Sequence, residues 1–253
     1  MQKRYARALQ VFFPELQNLR FALNRLISRH WNVAHEQNYL GFPLLNLGDG
    51  PIFDIGANRG QSIETFRFLL PERQIVSFEP APNLASSLSA IYRDDTRVTV
   101  IQCALGERAG IQPLYTPRYR RWTFDGLAST DREQAMTWLR RETIAWFNPR
   151  HLKCLSAVIC VLRIDDLDIV PSAIKIDTQG SEILVLRGAE RILRSARPAI
   201  LLECATAEII EFMGSLGYAQ FLFRDGRFRP YKLTGQNTFF LTSDHLDGIA
   251  HGS

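Results

Sequence analysis

A chain of 253 residues, 46% hydrophobic and 22% charged, has the balance of a soluble globular protein with one main core, here one large domain with an appendage. A net charge of +4 makes no demand for nucleic acid, none is expected as a partner, and no apolar run reaches the length of a membrane span or a signal-peptide core. Cys103, Cys154, Cys160 and Cys204 form no Cys-x-x-Cys pair and have no nearby histidine at ligand spacing, so neither a zinc site nor a disulfide scaffold is indicated and a reduced, cytoplasmic setting fits.

Over 1–32, Tyr5, Leu9, Phe12, Phe13, Leu16, Leu19, Leu23 and Leu26 recur at three- and four-residue spacing with a break at Pro14, which predicts two short amphipathic helices. Lys3, Arg4, Arg7, Arg20, Arg25 and Arg29 form their polar face. That face is either the solvated side of a cap or a contact for an anionic membrane surface or acidic partner. The cap is taken as 1–48 and the main domain as 49–248.

The main domain opens on Pro51-Ile-Phe-Asp-Ile-Gly-Ala-Asn-Arg-Gly60, an apolar strand with an acid near its end, then a glycine loop, then a helix over Gln61–Leu70. Gly56 lets backbone approach a ligand, and the first helical amides offer donors to an anionic group. A second strand, Gln74–Phe78, runs into Glu79, a carboxylate able to accept both hydroxyl hydrogens of a ribose. The dinucleotide fingerprint Gly-x-Gly-x-x-Gly is not met, because Asn58 stands where its central glycine would be. That favours S-adenosylmethionine, an adenosine cofactor without phosphates, over a nicotinamide cofactor.

A helix over Ala81–Tyr92 and a third strand over Val98–Ala104 continue the alternation, which predicts an α/β doubly wound sheet with parallel strands. Ala104 ends that strand, where a small residue either leaves room for a purine or merely packs; Cys103 and Cys204 lie in apolar runs and read as core residues. The alternation then stops over 111–150. There Tyr115, Arg118, Tyr119, Arg120, Arg121 and Trp122 precede a helix expected over Arg132–Trp146. This insertion is either a substrate lid, suited to an acidic, sugar-like or planar molecule, or a solvated hairpin with a helix behind it. His151 is a weaker candidate for proton transfer.

Beyond it come a strand over Ala157–Leu167 and a core strand over Ala173–Asp177. A helix from Glu182 to Arg194, a strand over Pro198–Cys204 and a helix over Glu208–Leu216 follow, then three antiparallel strands over Tyr218–Phe223, Phe228–Leu233 and Thr238–Thr242. Lys175 sits deep in its strand and needs a partner, for which Asp177 and Glu182 are the candidates.

Phe53-Asp-Ile-Gly-Ala-Asn-Arg-Gly60, Ser77-Phe-Glu-Pro80, Cys103-Ala-Leu-Gly-Glu107, Arg163-Ile-Asp-Asp-Leu167, Ile174-Lys-Ile-Asp-Thr-Gln-Gly-Ser-Glu182, Val185-Leu-Arg-Gly-Ala189 and Leu201-Leu-Glu203 together resemble the FkbM-type methyltransferase family, over roughly Ile52 to Thr242. The resemblance implies a class I methyltransferase, Rossmann-like, with a mostly parallel seven-stranded sheet, helices on both faces and, outside the common pattern, the N-terminal helices and the Arg/Trp-rich insertion. It implies S-adenosylmethionine as donor and O-methylation of a hydroxyl on a sugar, glycolipid or secondary metabolite. Carried onto this chain, Asp54, Gly56, Asn58 and Gly60 would shape the methionine loop, Ser62 would bond the methionine carboxylate, Glu79 would hold the ribose and Ala104 would border adenine. Asp177 would accept the hydroxyl proton, with Lys175 positioning it or the substrate oxygen, and no metal ligand set can be named. The partner is then a small-molecule or saccharide acceptor. The competing reading is a non-catalytic adapter or membrane-surface protein on the same fold.

Overall fold

Short apolar runs with little polar interruption can be buried on both faces, and this chain uses them as the middle strands of a sheet. The computed structural model describes residues 33–247 continuously and, ahead of them, helical positions 11, 12, 15, 19–21, 23 and 27. The first half runs β1 (Ile52–Ile55), α1 (Gln61–Leu69), β2 (Ile75–Phe78), α2 (Pro82–Ile91) and β3 (Val98–Ile101). A middle segment holds β4 (Ala104–Leu105), β5 (Gly110–Tyr119), β6 (Trp122–Thr123), α3 (Arg132–Thr137) and β7 (Leu152–Leu162). The second half runs β8 (Ala173–Ile176), α4 (Glu182–Arg187), α5 (Glu190–Ser195), β9 (Ala199–Leu202), α6 (Ala207–Ser215), β10 (Ala219–Arg224), β11 (Arg227–Pro230) and β12 (Thr238–Leu241).

The main sheet has the order β11-β10-β12-β9-β8-β1-β2-β3. Its strands β3, β2, β1, β8 and β9 are parallel, and β12, β10 and β11 are antiparallel. The expected seven-stranded, mostly parallel sheet is therefore corrected to a mixed sheet of eight. The cause is local: Asp225 and Gly226 both take positive φ, 53° and 75°, which makes a two-residue hairpin turn and adds β11 as an edge strand.

Alternate residues of β1 feed two cores. Phe53 and Ile55 pack with Val185, Leu186, Ile192 and Met213 under α4, α5 and α6, whereas Ile52 packs with Ile63, Phe66 and Leu88 under α1 and α2. The second core also receives Tyr39 and Phe42 from a short 3-10 stretch, Gln37–Leu44.

The interruption is a sheet of its own, ordered β4-β7-β5-β6, in which β5 pairs antiparallel with β7 over ten positions from Gly110–Val161 to Tyr119–Leu152. The third strand accordingly stops at Ile101 rather than Ala104, and the strand expected over 157–167 lies at 152–162. The helix expected over 132–146 ends at Thr137, because Leu139, Ile144 and Ala145 turn back to join Tyr119, Trp122 and Phe124 in a third core cluster. The helix expected over 182–194 breaks at Gly188. A β-carbon there would stand 2.0 Å from the Gly106 carbonyl oxygen, so the chain bends where α4 meets the loop after β4. Cys103 is buried as expected. Cys204 is exposed, since β9 ends at Leu202 and the chain leaves the core with φ 54° at Cys204.

Most of the two N-terminal helices, with Lys3, Arg4, Arg7, Arg25 and Arg29, lie outside the described residues. Among described positions, Val11 is buried and Phe21 packs on the third cluster, while Phe12, Leu19 and Leu23 are exposed rather than inward. No described helix is long and apolar enough to cross a membrane.

Candidate active site

The chain leaves β1 for β2 on one side and returns to β8 on the other, so the carboxyl ends of β1 and β8 flank the crevice of the sheet. Gly56 lies there with φ 79°, and a β-carbon on it would fall 1.8 Å from the Asp177 carbonyl oxygen. Glycine is thus required for β1 and β8 to approach each other, in addition to any ligand. Asn58 takes φ 48°, a left-handed turn that asparagine tolerates. Gly60, at φ 83°, starts α1 beneath Leu88 and Tyr92.

Asp54 and Lys175 are register partners across β1 and β8. Asp54 is wholly buried, with Oδ1 3.2 Å from the Lys175 ammonium and Oδ2 accepting from Ser62 Oγ at 2.6 Å and Ser77 Oγ at 3.3 Å. Lys175 Nζ also donates to the Gly56 carbonyl at 2.9 Å and stands 3.8 Å from Asp177 Oδ2. Burial works against the ammonium, but the charge of Asp54, followed by Tyr39 and Asp177, outweighs it and holds Lys175 above its ordinary pKa. Lys175 is therefore a cation with its hydrogens already placed, a strut for the strand ends. Glu182, the other partner considered for it, instead accepts from the Thr178 and Gly180 amides and the Thr178 hydroxyl.

Glu79 ends β2 with each carboxylate oxygen held by one backbone amide, Oε2 by Asn58 and Oε1 by Ala81, both at 2.8 Å. It ties the glycine loop to the next crossover. Burial pushes its carboxyl up to about 7, against those two hydrogen bonds. Glu79 and Ala104 line a cavity of about 240 Å³ with Phe78, Pro80, Cys103 and Leu105.

A second cavity of about 350 Å³ lies beyond the glycine loop, walled by Tyr39, Trp122, Phe124 and Trp138. Ser62 and Lys175 line it; Gly56, Asn58 and Asp177 line both cavities, and Asp54 and Gly60 line neither. Between the two stands a 3-10 turn of the insertion, Asp125–Leu127, fastened by the Arg59–Asp125 ion pair at 2.5 Å. A second fastening is Gln134, whose Nε2 donates to the Gln179 carbonyl at 3.1 Å. Arg118, Arg120 and Arg121 are exposed and line neither cavity, and His151 lies against the Tyr119 ring away from both.

Glu203 was not singled out from the sequence as a site residue, although it ends β9 as Glu79 ends β2. It faces Asp177, and Gln179 Nε2 reaches both, at 2.8 Å to Asp177 Oδ1 and 3.5 Å to Glu203 Oε2. The hydrogen bond to Asp177, with burial and the Asp177 charge, pushes Glu203 up to about 8. Burial alone would raise Asp177, but Lys175 and the Glu203 and Gln179 hydrogen bonds hold it below the ordinary range. The two carboxyl groups thus favour sharing a proton over ionising together. Half-buried Asp177 keeps the charge and faces the larger cavity.

A Methyltransferase FkbM domain model matches residues 54–225. Among solved structures, methyltransferase FkbM from Methylobacillus flagellatus KT aligns with a TM-score of 0.50 at 18% identity, covering 81% of this chain and 48% of that one. This chain thus spans about half of that protein's length, and the likeness is one of fold. A precorrin-6y C5,15-methyltransferase from Geobacter metallireducens GS-15 aligns at 15% identity with a TM-score of 0.41, covering 81% and 86% of the two chains. No curated protein matches the chain. A domain match that runs from Asp54 to Asp225, through the glycine loop, the Glu79 strand end and the Lys175–Asp177 box, places this chain in the FkbM methyltransferase family.

Proposed function

We propose that the protein transfers a methyl group from S-adenosylmethionine to a hydroxyl of a small molecule or saccharide. The observation that carries this reading is Glu79, a carboxylate 5% exposed at the end of a buried parallel strand, held by one amide on each oxygen and opening on a cavity. Its remaining lone pairs suit the two hydroxyls of a ribose. Ala104, between Cys103 and Leu105, offers a small, largely apolar border for adenine. Ser62 donates its hydroxyl hydrogen bond to Asp54, so the first amides of α1 are the better donors to a methionine carboxylate. The residues present fit that cofactor, which when bound supplies an electrophilic methyl on a sulfonium.

The chain's own contribution is alignment and proton handling. Asp177 is the group that takes the acceptor's proton, with Glu203 and Gln179 fixing its orientation and Lys175 holding its charge. Tyr39, Trp122 and Trp138 exclude water from the acceptor side.

Isothermal titration with S-adenosylmethionine, S-adenosylhomocysteine and NADH tests the reading. Both adenosyl ligands are expected to bind, NADH is not, and Glu79→Ala is expected to weaken adenosyl binding by about 10- to 100-fold, the cost of losing hydrogen bonds to a charged group. Absence of adenosyl binding to folded wild type would overturn it.

The pH dependence carries a further sign. Only ionised Glu79 accepts from both hydroxyls, so adenosyl affinity should fall as pH drops through about 7. The ligand-free protein should behave oppositely. Its Glu79 pKa is raised from 4.5, so this group's contribution to stability is full below 4.5 and lost as pH rises through about 7. Glu79→Gln should remove both dependences, read as the difference from wild type in titration calorimetry and urea melts.

A further inference from the structure

The larger cavity has an unbalanced charge. Among the described residues its two basic lining side chains are already matched, Lys175 by Asp54 at 3.2 Å with Asp177 at 3.8 Å, and Arg59 by Asp125 at 2.5 Å. Three more carboxyl groups face the same space from three different elements: Glu36 ahead of the short 3-10 stretch, Asp177 after β8 and Glu203 after β9. Glu36 accepts a hydrogen bond from Asn237 Nδ2 at 2.8 Å, and Asp177 accepts from Gln179 besides meeting Glu203 and standing 3.8 Å from Lys175. His35 and Tyr39 are the other titratable side chains on this wall among the described residues. The arginines that the sequence suggested as a grip for an acidic acceptor, Arg118, Arg120 and Arg121, do not reach it.

Such a surface repels carboxylates and phosphates and attracts a cation. Among the described residues no three of His, Cys, Asp and Glu are placed to share a metal ion. The walls add Tyr39, Trp122 and Trp138, whose ring faces suit both a pyranose face and an ammonium group.

Resting on the methyltransferase reading above, we propose that the acceptor is a hydroxylated ring bearing a protonated amine, an amino sugar or similar amine-bearing polyol, with its ammonium held between Glu36 and Glu203. Placing the ammonium there leaves the aromatic walls to the ring and Asp177 to a neighbouring hydroxyl. Since Asp177 and burial hold Glu203 above the usual carboxylate range, a bound ammonium should favour its ionised form and release a proton to solvent.

The test compares glucosamine, glucose and glucuronic acid, which share a ring and differ in charge, by titration calorimetry on protein saturated with S-adenosylhomocysteine at neutral pH. Glucosamine is expected to bind at least about tenfold more tightly than glucose, and glucuronic acid more weakly than either, the scale of one charge-assisted hydrogen bond. Runs in buffers of different ionisation enthalpy should show proton release with glucosamine only. Glu203→Gln should abolish that release, and Glu36→Gln should lower the amine preference, both with unchanged S-adenosylhomocysteine affinity as the control for folding. Equal binding of glucose, tighter binding of glucuronic acid, or no binding of any of the three would overturn the proposal. If S-adenosylhomocysteine itself fails to bind, the methyltransferase reading fails instead, and the same ranking on unloaded protein still decides the charge preference.

Discussion

Asp177→Asn is expected to lower the rate of methyl transfer by about 10²- to 10⁴-fold, the usual contribution of a positioned proton acceptor, while S-adenosylhomocysteine affinity stays as in wild type. Asparagine keeps the shape of the side chain and an oxygen for Gln179 and Glu203 to meet, but it cannot take the proton. The effect should therefore fall on kcat rather than KM, measured with whichever acceptor the wild type methylates. A variant with normal kcat and weakened adenosyl binding would reassign Asp177 to ligand positioning. Glu203→Gln is the informative companion, because it cannot share a proton in the same way and should alter the pH profile more than the maximal rate.

The second large effect concerns stability. Lys175→Met removes the ammonium from beside Asp54, a carboxylate with no exposure, and leaves its Oδ1 facing an apolar side chain. Breaking a buried pair from one side costs about 3–5 kcal/mol, whereas replacing both partners costs far less. Urea melts should show that loss for Lys175→Met and recovery of most of it in Asp54→Asn/Lys175→Met, where asparagine can still meet the Ser62 and Ser77 hydroxyls. A double variant as unstable as the single one would show that the lysine matters for its bonds to the Ile55 and Gly56 carbonyls rather than for charge.

What was legible in the sequence is what depends on neighbours along the chain. The glycine loop, the carboxylates that end β2 and β8, and the hairpin strands near the carboxyl end are local patterns, and Gly56, Asn58, Glu79, Ala104 and Asp177 do meet around the crevice. What depends on register was not. Asp54 is 121 positions from Lys175 along the chain, and only the pairing of β1 with β8 makes them neighbours, so Asp177 and Glu182 looked like better partners. The Arg/Trp cluster was legible as unusual but not as to direction. Strand alternation turns Arg118 outward against buried Tyr119, and the turn at Arg120, with φ 53°, leaves Arg120 and Arg121 exposed and Trp122 buried. Glu203 shows the reverse case, a strand-end acid whose signal was present and whose meaning came only from facing Asp177.

The buried pair also bears on how the chain finds its alignment. β1 and β8 are joined only after the whole middle segment has intervened, and their other facing residues, Ile52 with Ala173, Phe53 with Ile174 and Ile55 with Ile176, are interchangeable aliphatic and aromatic groups. Apolar contacts alone would tolerate a slip by one position almost as well as the native match. A slip would carry the lysine to the opposite side of the sheet and leave Asp54 against an isoleucine, a charge buried without its counterion. The Asp54–Lys175 contact thus acts as a key between halves of the sheet that lie far apart along the chain, penalising a one-position slip more than it stabilises the correct match.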